Sequence, residues 1–376
     1  MDLHREAFGS ETIQKLDLYR DYVREWLPVF LRKDAWVKNI QIFDFFAGPG
    51  HDEDGVPGSP LITLEELEDY WEIARKYGVQ ISLFLNEYDK KKYQLLLEAT
   101  EPIRCEHPEL DLVIENLDFA DAFKKWSPLM SGKTTPALAF LDQNGVKHIT
   151  PEVFNTIVHA PKTDSLFFIS SSYFRRFNQS ECFKRYIDIP TRELLRRPYA
   201  EIHRIILDFF KDLVPDNHEY YLASFSFKKG ANIYGLIFGT GHPRGIDKFL
   251  SSSWKKYPQT GDANFDIDRD GIISGQTSLF PEDNIPTKLK EFERELRKRI
   301  LSKELRTNID VYLFALESGC LAKHAKEMIK RMCKEKLIRN GTLNISYDAW
   351  KKWKCEKSQP KKSSLLRRPA LWLSGG

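Results

Sequence analysis

The run Ile42-Phe43-Asp44-Phe45-Phe46-Ala47-Gly48-Pro49-Gly50 restricts the possible folds more than any other stretch of this 376-residue chain. It reads as a buried strand ending in a glycine loop, and a second strand, Ile81 to Asn86, runs into Glu87. Gly48 and Gly50 carry no Cβ, so a ligand can lie directly against the backbone there. A carboxylate at the tip of the neighbouring parallel strand can accept hydrogen bonds from both hydroxyls of a ribose. Together these features predict a site for a nucleoside-bearing cofactor, with S-adenosylmethionine (SAM) the expected one.

The rest of the N-terminal two-thirds alternates between helical and strand-like patterns. An amphipathic helix over residues 11 to 33 places Ile13, Leu16, Tyr19, Val23, Trp26, Leu27 and Phe30 at spacings of three and four. Candidate strands follow at Ile40–Phe46, Ile81–Asn86, Leu112–Glu115, Ala137–Asp142 and Leu166–Ser170. Helices are expected between them near Leu61–Lys76, Lys90–Thr100, Ala120–Leu129 and Pro151–His159. Such alternation calls for a parallel α/β sheet covered on both faces. A helix around Thr191–Asp212 and a hairpin, Tyr220–Phe227 with Asn232–Gly239, complete it. Five parallel strands closed by an antiparallel hairpin form the Rossmann-like strand plan of class I methyltransferases.

Residues 240 to 284 are rich in Gly, Ser, Asp and Pro and read as irregular. A charged helix from Thr287 to about Leu305 leads into a helix containing Val311, Phe314, Ala315 and Leu316 and ended by Gly319. A second helix over Ala322 to Leu337 and a hairpin turning at Asn340-Gly341 then resemble a winged helix-turn-helix (wHTH). The expected organisation is a methyltransferase-like SAM-binding domain over 1–245, an irregular connector over 246–286, a basic winged helix over 287–356 and a flexible tail over 357–376.

Charge is unevenly spread. From Ile285 to Gly376 there are 23 Lys or Arg against 10 Asp or Glu, whereas the whole chain carries a net charge of only +3. An acidic body with a basic C-terminal end directs any polyanion contact to that end. A solvated lysine-rich helical surface is the plainer account. No apolar run approaches the roughly 20 residues needed to span a bilayer, and the first residues have no signal-peptide core. A cytoplasmic location without membrane contact is expected. Five scattered cysteines at no CxxC spacing indicate neither a metal site nor a disulfide framework.

Candidate site residues follow from strand ends. Asp44, Gly48, Pro49 and Gly50 are placed at the amino-acid end of SAM, Glu87 at the ribose and Asp118 at the adenine amino group, with Phe46 as a further cofactor-binding residue. Ser59 is expected to cap a helix whose first position is Pro60, or to line the cofactor's carboxylate end. Asp142 stands where an acceptor would be gripped, but the Pro-Pro-aromatic sequence of amino-group methyltransferases is replaced by Gln143-Asn144-Gly145. Lys323, Lys326, Lys330, Arg331 and Lys334, with His324 among them, crowd one helix, and Arg339 sits at the wing. They are the candidate nucleic-acid contacts, a protein partner being the other possibility. His148, His159, His203 and His242 are isolated in sequence and read as structural. Ser131-Gly132-Lys133-Thr134 lacks the first glycine of a phosphate loop and precedes a strand, where such a loop must follow one. Asp266, Asp268 and Asp270 imitate a calcium loop, but Thr277 replaces its last ligand.

The phrases Phe43-Asp44-Phe45-Phe46-Ala47-Gly48-Pro49-Gly50, Gly58-Ser59-Pro60-Leu61 and Asn86-Glu87 together resemble the three-Cys-motif partner proteins. The Leu141-Asp142 strand end and Val311 to Gly319, similar to that family's winged-helix start, extend the resemblance to about residue 356. It departs at Gln143-Asn144-Gly145, where an LDPFG-like stretch belongs. The resemblance implies a SAM-binding fold and a three-Cys-motif companion protein. Three readings are open: a SAM-dependent methyltransferase acting on RNA or DNA; a catalytically inactive SAM-sensing adaptor for the companion, in a bacterial defence or mobile-element module; and an enzyme using the pocket for another nucleoside cofactor.

Overall fold

The computed structural model describes residues 7–33, 37–107, 110–143, 145–177, 189, 201–229, 232–261, 285–339 and 343–358. They fall into two compact units, the first reaching Gly245 and the second beginning at Ile246.

The first unit is a seven-stranded sheet. Its strands are β1 (Asn39–Asp44), β2 (Gln80–Asn86), β3 (Leu110–Glu115), β4 (Ala137–Leu141), β5 (Thr163–Ile169), β6 (Tyr221–Lys229) and β7 (Asn232–Thr240), in the spatial order β3-β2-β1-β4-β5-β7-β6. β1 to β5 run parallel, and β7 enters antiparallel to both β5 and β6. This is the expected strand plan. Central strands are apolar on both faces because helices cover both: Ile40, Ile42 and Phe43 are fully buried. The helices are α1 (Ser10–Phe30), α2 (Ser59–Leu67), α3 (Trp71–Tyr77), α4 (Lys90–Glu106), α5 (Phe119–Met130), α6 (Pro151–Val158), α7 (Ser171–Phe177) and α8 (Ile202–Asp212). The expected single helix Leu61–Lys76 is divided, by a 3₁₀ turn at Glu68–Tyr70, into α2 and α3. Residues 191–200 of the expected Thr191–Asp212 helix lie outside the described residues.

Strand alternation sorts the β1 side chains. Phe43 and Phe45 face α5, where Phe43 stacks on Phe84 with ring centroids 4.6 Å apart and Phe45 lies 5.5 Å from Trp126. Asp44 therefore points to the opposite face, the side of α1 and α2. There Tyr19 of α1 lies 4.4 Å from Phe140 and its hydroxyl meets Thr63 Oγ1 at 2.7 Å. Strand order reverses direction between β1 and β4. The crevice at their C-terminal ends is the switch point at which open α/β sheets bind ligands.

The second unit contains most of α9 (Pro243–Lys256), then α10 (Thr287–Leu301), α11 (Asn308–Glu317), α12 (Ala322–Lys334) and α13 (Tyr347–Ser358). The irregular reading of residues 240 to 284 is corrected at α9. Ile246, Phe249, Leu250 and Trp254 are buried at helical spacing, a stripe hidden in the sequence by Gly245 and the run Ser251-Ser252-Ser253. Trp254 Nε1 donates to Gly319 O at 2.9 Å and Tyr312 Oη to Asp247 at 3.1 Å, so α9 packs with the helical pair α11–α12. Thr307 and Asp310 form a reciprocal capping box that starts α11. Gly319, at φ 69°, supports the turn into α12. The Asn340-Gly341 turn and the acidic 266–277 stretch lie outside the described residues, and 337–339 and 343–346 form no strand.

Candidate cofactor and acceptor site

The backbone turns sharply after β1. Gly48 and Gly50 have φ of 68° and 95°, a region that disfavours residues with a Cβ. Ala47 N donates to Asn86 O at 2.9 Å, which fixes the start of the loop to the tip of β2. Pro49 is buried within it, and Gly58 N closes it on Gly50 O at 2.7 Å.

Asp44 is 1% exposed. Its Oδ2 accepts from Ser59 Oγ at 2.6 Å and its Oδ1 from Phe46 N at 3.1 Å. Burial pushes its carboxyl up to about 7, with Ser59 and Phe46 opposing and the Asp142 and Glu87 carboxylates adding to the rise. Ser59 consequently does not cap α2. Gly58 occupies the cap position without a side-chain bond, Ser59 begins the helix, and its hydroxyl is committed to Asp44. Ser59 stands one residue inside the helix, where its hydroxyl donates to Asp44 and no helix-end N–H donates to it among the described bonds.

Glu87 turns inward. Its Oε2 accepts from Gly48 N at 2.9 Å and its Oε1 from Asp89 N at 2.8 Å. Burial raises its pKa, and the two N–H donors partly offset this. A carboxylate offers about four lone-pair sites, so each oxygen retains one after these bonds. Two asparagines hold the surrounding strand tips. Asn86, 1% exposed, donates to Leu117 O at 3.1 Å and accepts from Leu117 N at 3.1 Å. Asn116 donates to Glu87 O at 2.6 Å and to Tyr88 O at 2.8 Å.

Asp118 caps α5 through Oδ1, accepting from Ala120 N at 2.8 Å and Asp121 N at 3.2 Å. Next to it Phe46 stacks on Phe119 at 5.2 Å, and His148 packs against both rings at 5.3 and 5.0 Å. His148 is thus not isolated, as its sequence position suggested. Burial and Lys147 lower its pKa to about 4, against the pull of Asp118, which leaves a neutral ring at neutral pH.

Asp142 follows β4 and is ion-paired through Oδ2 to Lys15 Nζ of α1. Lys15 is 7% exposed and its ammonium lies 4.9 Å from the Phe168 ring centroid. Gln143 is fully buried, donating to Phe168 O at 3.1 Å and accepting from His148 N at 2.9 Å. Sequence reasoning missed Lys15, Gln143 and Asn86. The available signal for Lys15 was its place on one helical face with Glu11, Tyr19 and Tyr22, all buried.

In the second unit, α12 buries Ala325, Met328, Ile329 and Met332 and exposes Lys323, Lys330 and Lys334, with Lys326 half-buried. Two members of the basic crowd differ from expectation. His324 is buried, 4.5 Å from Trp254, and burial lowers its pKa to about 4, so it adds no charge. Arg331 is paired with Glu293 of α10. Arg339 is exposed.

The GMT-like wHTH domain family matches residues 266–342. Comparison with curated protein sequences gives no significant match. Among solved structures, an O-methyltransferase from Bacillus cereus in complex with SAH is similar at 11% identity and TM-score 0.32, covering 62% of this chain and 91% of that one. The METTL16 methyltransferase domain is similar at 9% and 0.33, covering 64% and 72%. TomG, an O-methyltransferase from Streptomyces achromogenes in complex with SAM, is similar at 9% and 0.33, covering 62% and 90%. Strand order and the antiparallel β7, rather than these low scores, define the fold class: a mixed α/β, Rossmann-like methyltransferase sheet, joined to a wHTH domain.

Proposed function

We propose that this chain is a SAM-dependent methyltransferase acting on nucleic acid, with the basic wHTH unit engaging the substrate and a three-Cys-motif protein as companion. The observation that carries the reading is the pair of inward carboxylates flanking one glycine loop, Asp44 beneath it and Glu87 bonded across it. This donor set fits the cofactor's chemistry. Asp44 is a buried acid suited to an ammonium, Glu87 has acceptor sites left for two ribose hydroxyls, and Phe46 with Phe119 offers an aromatic wall beside Asp118 for an adenine. SAM, when bound, supplies a methyl group made electrophilic by its sulfonium. The chain's own part is alignment of acceptor and methyl in a dry pocket.

Calorimetry with SAM and S-adenosylhomocysteine (SAH) tests the pocket. Glu87→Ala is expected to weaken SAH by about 10-fold or more through loss of the ribose pair; an unchanged affinity would remove Glu87 from the cofactor site. Transfer of tritiated methyl to tRNA, rRNA and DNA tests catalysis. A second reading, a SAM-sensing adaptor without transferase activity, draws support from Asp142, whose Oδ2 is engaged by Lys15, so that only Oδ1 is left to meet an acceptor. Tight SAH binding without transfer to any acceptor would favour it.

A further inference from the structure

Resting on the methyltransferase reading, we propose that the Lys15–Asp142 pair makes the acceptor corner a site for a hydroxyl oxygen, and hence for a ribose hydroxyl of RNA.

An amino acceptor needs hydrogen-bond acceptors that take its N–H groups and leave its lone pair facing the methyl. As nitrogen attacks it gains positive charge, and a neighbouring ammonium opposes that change. The corner after β4 is built the other way. Asp142 Oδ2 is held by Lys15. The amide that follows it, Gln143, is engaged at both ends, by Phe168 O and His148 N. Lys15 reaches Asp142 from α1, 127 residues away in sequence, and is buried against the Phe168 ring. A lysine withdrawn from water at this place costs free energy that a surface ion pair would not, so its position calls for a role.

A hydroxyl acceptor has the opposite requirement. It gains nucleophilicity as its proton leaves, and an ammonium beside it stabilises the oxygen's developing negative charge. The lysine ammonium has three donors: one serves Asp142 and the others can face the acceptor oxygen. The acceptor O–H bond breaks as the O–CH3 bond forms, and the methyl's former bonding pair stays on the cofactor sulfur. The proton passes to Asp142 Oδ1 and from there to water. Asp142 serves as both proton acceptor and anchor for Lys15. Ser170 lies just past the end of β5, two residues beyond Phe168. It keeps a buried hydroxyl with no hydrogen-bond partner among the described residues, a further neutral polar group in this region. Within a nucleic-acid chain the ribose 2′-OH is present in RNA and missing from DNA, so an oxygen site selects RNA.

The test uses the full chain, tritiated-methyl SAM, an unmodified RNA transcript and DNA of the same sequence, followed by digestion to nucleosides and mass analysis. Label is expected in ribose-methylated nucleosides from RNA only. Lys15→Met should reduce it by about 100-fold, while SAH affinity by calorimetry stays within about 3-fold of the parent. Lys15→Arg should restore part of the rate and displace its pH profile, a result that a merely structural lysine would not give. Thermal unfolding of Lys15→Met, Asp142→Asn and the double variant should show coupling, the double change costing less than the two single changes together. Label on base nitrogens would overturn the oxygen assignment and leave the methyltransferase reading standing. SAH binding without transfer to RNA or DNA would overturn it in favour of the adaptor, and absence of SAH binding would remove the underlying reading itself.

Discussion

Asp44 provides the sharpest prediction, because on the proposed function its ionisation couples the cofactor site to pH. Burial places its pKa at about 7, against an ordinary value of 3.8. The folded protein thus holds this proton more tightly than the unfolded chain does. Stability conferred by the site is greatest below about pH 4 and declines as pH rises towards 7, by on the order of 4 kcal/mol in total. Above pH 7 the carboxylate is buried and charged, which is the condition an ammonium relieves. If the ammonium of SAH sits at Asp44, binding requires the ionised form, and affinity tracks the ionised fraction. That fraction is about one half at pH 7 and about 3% at pH 5.5, so the association constant should fall by about 15-fold over this interval. The ligand's own amino group stays protonated throughout and adds no slope. Calorimetric titrations at pH 5.5, 6, 6.5 and 7 measure the effect. Asp44→Asn keeps the shape, removes the titration and should give a nearly flat profile, with a more stable ligand-free protein at pH 8. A flat profile in the parent, or an equal slope in the variant, would refute placement of the ammonium at Asp44.

Other consequences can be checked with single preparations. Asn86→Ala should lower stability by about 2 kcal/mol, seen in denaturant unfolding, since it removes the partner of the half-buried N–H and C=O of Leu117. Gly50→Ala should cost about 2 kcal/mol, because φ is 95° and the added Cβ would stand 3.0 Å from Ala99 Cβ; unchanged unfolding would show that the loop adapts. Replacing Lys323, Lys330 and Lys334 by Ala should weaken RNA binding and reduce the slope of log affinity against log salt by about 0.7 for each phosphate no longer neutralised. Arg331→Ala should act mainly on stability, as its guanidinium is engaged by Glu293.

The sheet was legible because central parallel strands are apolar on both faces, and such runs have few alternative homes. Asp44 and Glu87 were legible for the same reason, as single charges at the ends of apolar runs. Other features escaped because they depend on contacts remote in sequence. Ser59 has the appearance of a helix cap, and only the arrival of Asp44 from β1 shows why its hydroxyl goes elsewhere. His148 looks solitary until the β4–α6 loop brings it to Phe46 and Phe119. In α12, identical-looking cations divide into exposed lysines, a buried neutral histidine and an arginine already paired. A helical wheel would have separated His324 from the lysines, but not Arg331 from them.

Lys15 shows most clearly where such reading stops. Scanning α1 for apolar periodicity selects Leu16, Tyr19, Val23, Trp26 and Leu27, which are buried, and also Ile13, which is 39% exposed. The same scan discards Lys15 as solvent-facing, following the ordinary preference of lysine. Yet Glu11, Lys15, Tyr19 and Tyr22 lie four, four and three residues apart, on one face of the helix, and all four are buried. Polar atoms on a buried face need partners, and three of these find theirs on other elements: Lys15 at Asp142, Tyr19 at Thr63 and Tyr22 at Asp164. Of these partners Asp142 lies just past the C-terminal end of a strand, whereas Asp164 stands near the start of β5, so Lys15 is the member of the stripe that reaches the strand tips. If the proposed acceptor corner is right, changes at Lys15 should alter transfer chemistry more than changes at Leu16, Val23 or Trp26, which should act on stability.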